Sequence, residues 1–267
     1  MRIPLAKYGA RELVLFGGLA LAGLIVSAVL GIGLDLARCL GRFAELACWP
    51  LALLFAAALV FIVAFFRDPE RRVPVDPGAL VAPADGRVTE VTEVIQESVW
   101  PCAMRDRFAK KEPGFLKGRA HKIGIFMSLA SVHVNRAPCA GRVEAVDHQP
   151  GLFLDARDPA SSARNEATAL VIADAEGRGT RVLVRQVAGV LARRIVCDAA
   201  VGDILARGQR IGMIKFGSRT ELYIAKWLDP HIQVAVGQKV RGAVAILAVL
   251  RKAPAPTTPT LTEQQAP

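Results

Sequence analysis

The sequence is poor in the residues that most ligand-reading surfaces use. Aromatic residues make up 6%, with two tyrosines and three tryptophans. None alternates with basic residues in the way that stacks bases, which argues against nucleic acid as a partner. Cysteine occurs five times, at Cys39, Cys48, Cys102, Cys139 and Cys197, an odd number at wide spacing. That pattern signals neither a disulfide framework nor a zinc site, so no metal is expected and the thiols read as reduced. Helical periodicity is scarce beyond residue 66. Charge is missing altogether from two runs, 14–34 and 46–66.

Each run is 21 residues long, about what a helix needs to cross a bilayer core. Trp49 and Pro50 open the second, where an interfacial anchor and a first-turn proline are tolerated. A cleaved signal peptide fits less well, because the first run is long, lacks a small-x-small site and is followed by a second span. Residues 1–66 therefore read as a transmembrane hairpin. Lys and Arg number three before it (Arg2, Lys7, Arg11), three after it (Arg67, Arg71, Arg72) and two in its loop (Arg38, Arg42). The positive-inside rule then puts both ends in the cytoplasm, by a small margin. Gly17, Gly18, Gly23, Gly31 and Gly33 offer close helix packing.

The net charge of +10 points to anionic partners. Its densest stretch, 103–122, holds seven cations against Asp106 and Glu112. It reads either as a solvated loop or as a loop lying on anionic headgroups. After the charged, proline-rich exit FRDPERRVPVDPG, short β-like runs follow at 86–95, 122–127, 141–146, 167–172, 181–187, 211–216 and 240–250. Gly177-Arg178-Gly179 reads as a hairpin turn between two of them. APADGRV, from Ala82, recurs as APCAGRV, from Ala137, and VGDIL, from Val201, as VGQKV, from Val236. These echoes predict a mainly β domain, barrel- or sandwich-like, with pseudo-repeats of the lipoyl-hammerhead kind over 67–252. The polar tail 253–267 reads as disordered.

One stretch carries chemistry: GMIKFGSRTELY, residues 212–223. An apolar run delivers Gly217-Ser218, and a charged turn, Arg219-Thr220-Glu221, is expected next. Glycine leaves its carbonyl open to close approach. The hydroxyl of the next residue is within reach of that carbonyl, and a strained turn would let it convert the amide to an ester. The alternative is a turn whose serine bonds its neighbouring backbone. A serine hydroxyl needs a base. Asp85 and His133 are the candidates, although Asp85 also reads as a turn residue. His133 alternates with Val132 and Val134 and also reads as a surface side chain on a strand.

Four segments in this order, FRDPERRVP with APADGRV, FMSLASVHVNRAPCAG, QVAGVLARRIVC and GMIKFGSRTELY, resemble the phosphatidylserine decarboxylase proenzymes of the short bacterial and archaeal type. The resemblance implies self-cleavage. Ser218 Oγ attacks the Gly217 carbonyl, the resulting ester loses the Gly217 carboxylate by elimination, and hydrolysis releases ammonia. A pyruvoyl group then caps a chain of residues 218–267, which stays paired with residues 1–217 as a heterodimer; any higher oligomer is left open. The pyruvoyl carbonyl serves as the electron sink for loss of CO2 from phosphatidylserine, giving phosphatidylethanolamine. The resemblance assigns Asp85 to acid/base or His-orienting work in cleavage and His133 to proton transfer. It differs at Arg136, where the larger subfamily has a second histidine. Arginine cannot serve as a base at neutral pH. Arg136, Arg193 and Arg194 are therefore taken as binders of substrate phosphate or carboxylate. The implied location is the inner membrane, with the catalytic domain on the cytoplasmic side. Two rival readings remain: an archaeal-type ether serine lipid as substrate, and a membrane-tethered β-barrel binding module with an intact Gly217–Ser218 bond.

Overall fold

The computed structural model describes residues 5–36, 44–95, 104, 118–158, 161–174, 180–190, 194–215 and 217–251. Helices α1 (Ala10–Leu36) and α2 (Trp49–Phe65) pack together as a hairpin. Their large apolar side chains, Leu19, Val29, Leu53 and Val60 among them, are exposed. Lys7–Gly33 and Leu46–Phe65 are each long and apolar enough to cross a membrane. A Cβ on Gly23 would stand 2.6 Å from the Phe55 ring, so this glycine sets the helix separation. Gly31 receives Trp49 in the same way, whereas Gly18 and Gly33 face open space. Arg38 and Arg42 of the loop lie outside the described residues.

Fourteen strands follow among the described residues: β1 (Ala79–Val81), β2 (Gly86–Ile95), β3 (Arg119–Met127), β4 (Val134–Arg136), β5 (Gly141–Gln149), β6 (Ala167–Asp174), β7 (Arg181–Ala188), β8 (Arg194–Cys197), β9 (Ile204–Leu205), β10 (Arg210–Lys215), β11 (Ser218–Ala225), β12 (Pro230–Ile232), β13 (Lys239–Val240) and β14 (Ile246–Leu250). Eight form one curled sheet in the order β13-β2-β3-β11-β7-β6-β5-β9. Two three-stranded sheets, β1-β14-β12 and β4-β10-β8, complete the domain. All paired strands run antiparallel. One face of the large sheet, with Val88, Ile125, Ile172, Val184 and Leu222, shares a core with Leu80, Ile214 and Leu247 of the small sheets.

The strand order has two matching halves. One comprises β1–β3 and β11–β14, and the other, β4–β10, is inserted whole between β3 and β11. The sequence echoes mark the same positions in each: APADGRV leads into β2 and APCAGRV into β5, while VGQKV ends in β13 and VGDIL in β9. Gly86 and Gly141 open these strands because a Cβ there would stand 2.2 Å from the Phe126 oxygen and 2.0 Å from the Ala173 oxygen. Each strand then bulges at the same place, between Val88 and Glu90 and between Val143 and Ala145. The chain crosses between halves twice, from Met127 to Val134 and from Lys215 to Ser218.

The structure corrects one element outright. Arg219-Thr220-Glu221 is not a turn but the interior of the central strand β11, 1% or less exposed at each residue. Burial of the charges is offset by pairing. Glu221 meets Lys122 Nζ at 3.2 Å and Arg219 Nε at 3.0 Å, and accepts from Ser162 at 2.9 Å and Tyr223 at 2.7 Å. Gly124 leaves the room that the Arg219 guanidinium fills. Lys122, expected in a basic loop, belongs to this network in β3; residues 105–117 of that stretch lie outside the described residues, as do 175–179 and the tail 252–267.

Candidate active site

Ser218 is the first residue of β11, opposite Met127 at the end of β3 and Ala188 at the end of β7. It is fully buried, and its hydroxyl donates to the Met127 sulfur at 3.3 Å. A thioether is a weak acceptor and holds the hydroxyl loosely. Thr220 Oγ1, at 3.4 Å, reaches the same sulfur. Asn135 bonds Thr220 at 3.1 Å and accepts from Gln186 at 2.7 Å. A polar layer thus lies beneath the Gly217–Ser218 bond within an otherwise apolar core.

Gly217 sits at φ +64°, in the left-handed region that favours glycine. Its carbonyl oxygen lies against Gly189, 2.3 Å from where a Cβ would stand. Gly189 is placed by Ala188, whose carbonyl accepts from buried Asn165 at 2.8 Å. Beside the junction is a cavity of about 540 Å³, lined by Met127, Leu129, Ala130, Gly189, Val190 and Gly217 among others.

His133 is completely buried, like Val132 and Val134, and not a surface side chain. Strand β4 begins only after it, so the alternation expected of a strand does not apply. Its Nδ1 donates to the Ser131 carbonyl at 2.9 Å, because a carbonyl can only accept. The proton on Nδ1 leaves Nε2 with a free lone pair, and Nε2 is buried with no hydrogen-bond partner among the described residues. Burial pushes the imidazole down to about 4, with the Arg67 charge adding in the same direction. A neutral nitrogen with a free lone pair can accept a proton, and the lowered value makes it a weak base at neutral pH. His133 and Ser218 occupy the two crossings between halves, and residues on both sides of His133 touch the Ser218 surroundings: Met127 through sulfur and Asn135 through Thr220.

Asp85 lies elsewhere. Its carboxylate accepts from Arg71 at 2.8 Å and from the Gly242 amide at 2.7 Å, with neither His133 nor Ser218 among its partners. It opens on a second cavity of about 460 Å³, which shares Phe126, Ser128 and Ala130 with the first and is lined by Arg67, Arg87, Lys239 and Arg241. Arg136 does hold a carboxylate, but one from its own chain: Asp68 at 2.6 Å, with further bonds to the Pro69 and Gly208 carbonyls. Arg194 is exposed at the start of β8 and lines none of these cavities. Arg193 lies outside the described residues. The residues that sequence reasoning missed are Met127, Asn135, Gln186, Gly189 and Thr220. All five stood in quoted motifs, Met127 and Asn135 in FMSLASVHVNRAPCAG, Gln186 and Gly189 in QVAGVLARRIVC and Thr220 in GMIKFGSRTELY; their place around the junction is set by cross-strand register.

Residues 58–248 match the family model described as phosphatidylserine decarboxylase. The chain belongs to the phosphatidylserine decarboxylase family. It is 42% identical over 211 residues to a phosphatidylserine decarboxylase proenzyme of Geobacter sp. (strain M21), covering 79% of this chain and 87% of the relative. The corresponding proenzyme of Ralstonia nicotianae is 38% identical over 234 residues, 88% of this chain and 91% of the relative. That of Burkholderia mallei (strain SAVP1) is 39% identical over 235 residues, with the same coverage. The phosphatidylserine decarboxylase match includes the last turns of α2, all fourteen strands up to Ala248, and both crossings.

Proposed function

We infer that the protein is a membrane-anchored phosphatidylserine decarboxylase that cleaves its own chain at Gly217–Ser218 and uses the pyruvoyl group so formed. The observation that carries this reading is the junction itself. A left-handed Gly217 has its carbonyl wedged on Gly189, and the next residue is a buried serine held only by a thioether. A binding module has no use for that arrangement.

In cleavage, His133 Nε2 takes the Ser218 hydroxyl proton as Oγ adds to the Gly217 carbonyl carbon. The C–N bond breaks, the amine leaves with a proton, and an ester joins the two segments. Loss of the Ser218 α-proton then expels the Gly217 carboxylate, and water displaces ammonia. A ketone-bearing group at position 218 fits the site, because the residue before it, Gly217, and its cross-strand partner, Met127, both line the cavity. When bound there, pyruvoyl supplies a carbonyl that condenses with the substrate amine and accepts the electrons released with CO2. His133 returns a proton to the product carbon. The apolar walls of the cavity at Gly217 exclude water, and Arg67, Lys239 and Arg241 in the adjoining cavity receive the phosphodiester. Asp85 holds Arg71 and the Gly242 backbone at the edge of that basic cavity, an orienting rather than a base role.

In this reading the hairpin holds the cavity at headgroup level in the inner membrane, with the domain on the cytoplasmic side; the two apolar helices support it. Denaturing mass spectrometry tests the reading. A fragment of residues 218–267 with a pyruvoyl N-terminus is expected from wild type, and Ser218→Ala stays one chain. An intact wild-type chain in a folded sample overturns it.

A further inference from the structure

We propose that the base of the helical hairpin is a working part of the self-cleavage site: α2 positions His133 through Phe65 and Arg67, and α1 positions the segment that delivers Gly217 through Glu12. The proposal rests on the self-cleavage reading above.

The two crossings between halves carry the reacting groups, and a crossing is the least constrained part of such a fold. The first, Ser128 to His133, makes few bonds of its own; the Ser131 amide donates to the Ser128 carbonyl at 2.8 Å. Within that turn the Ser131 carbonyl holds one edge of the His133 ring, through Nδ1 at 2.9 Å, and leaves its face to be covered from outside. Phe65, the last residue of α2, covers it. Its ring centroid is 4.2 Å from that of His133, with 33° between planes. Phe65 is itself 1% exposed and backed by Phe66 edge-on at 5.1 Å. Arg67 then bridges helix and crossing, donating to the Ala64 carbonyl and to the Ala130 carbonyl, each at 2.6 Å.

The second crossing is gripped from α1. Glu12 Oε1 meets Lys215 Nζ at 2.6 Å, two residues before Gly217, and the lysine side chain is 7% exposed. The two grips share one core, in which Ala6, Phe65 and Phe66 pack on Val132, Val134 and Met213. An anchor that merely tethers would join its domain through a solvated linker. Here the last residue of the helix touches the imidazole. The charged groups on the elements packed around His133 include Arg67 after α2, the Glu12–Lys215 pair between α1 and β10, Arg194 on β8 beside that pair, and Arg136 and Arg210, which are both held by Asp68.

The test is a time course of fragment appearance for the full chain synthesised cell-free into lipid nanodiscs. Phe65→Ala should slow cleavage and, by wetting the imidazole, raise the acid limb of the rate–pH profile from near 4 toward the ordinary histidine value of about 6.5. Phe65→Leu, which keeps an apolar cover, should restore most of both. Glu12→Lys should slow cleavage at least about tenfold, and the exchange Glu12→Lys with Lys215→Glu should recover it. A general folding defect would not be rescued by the exchange. Wild-type cleavage at 218 with unchanged rates and pH profile in these variants overturns the hairpin proposal alone. The same result holds if the exchange fails to rescue while Phe65→Ala leaves the profile in place. Absence of cleavage at 218 in wild type overturns the self-cleavage reading instead.

Discussion

The carbonyl oxygen of Gly217 rests on the α-carbon of Gly189, at 2.3 Å from the place a methyl group would take. The contact is backbone against backbone, so no side-chain rotation relieves it. Gly189→Ala is therefore expected to displace the Gly217 carbonyl and stop chain cleavage while the protein still folds. Gel electrophoresis of the purified variant, with a thermal melt alongside, checks this.

The pH dependence follows from His133. Its folded value, near 4, lies below the ordinary 6.5 because burial disfavours the cation. Between these values the unfolded chain binds a proton that the folded chain refuses. Stability is thus full above about 6.5 and falls as pH drops toward 4, by at most about 1.4 kcal/mol per pH unit from this group. Cleavage should keep its base form through the same window and lose rate only near pH 4. A single-turnover cleavage profile with its acid limb near 6.5 would contradict this.

Glu221 and Glu90 together supply the negative charge between Lys122 and Arg219. Burial alone would raise the Glu221 carboxyl, but the two cations and the bonds from Tyr223 and Ser162 hold it below the usual range. Glu221→Ala leaves two buried cations short of a partner and is expected to cost about 3–5 kcal/mol. Urea unfolding in the uncleaved Ser218→Ala background measures it on a single chain.

Lys239 and Arg241 line the second cavity, which adjoins the one at Gly217, and are expected to bind the phosphodiester of the lipid. Replacing both with Gln should raise KM for phosphatidylserine in mixed micelles with a smaller effect on kcat. Added salt should weaken the wild type more than the variant, because screening acts on exposed cations. Arg136→Gln should instead lower stability, since its guanidinium is taken by Asp68.

Sequence pattern was informative where one physical rule acts alone. Two uncharged runs of bilayer length gave the hairpin, within a few residues of α1 and α2. Short apolar runs gave β2, β3, β5, β6, β7 and β10, whereas the run 240–250 divides into the end of β13, a turn and β14. They failed at β11. Two of its residues, Arg219 and Glu221, are charged, and distant partners such as Glu90 in β2, Lys122 in β3 and Ser162 in a short helix, 59 or more positions from Glu221, make burial of those charges affordable. The short strands β1, β4, β8, β9 and β12 carry too few residues to show a period.

By itself the sequence determined that the chain carries two apolar runs long enough to cross a membrane, that the part after them repeats a β motif, and that Gly217-Ser218 is its candidate reactive pair. These are local properties of residue type and spacing. The tertiary structure decided the rest. It buried His133 beneath Phe65, gave Arg136 to Asp68 and set Asp85 in a second cavity. It also brought Gly189 against Gly217. Each depends on which distant segment becomes a neighbour, and that is fixed by register and packing across the sheet.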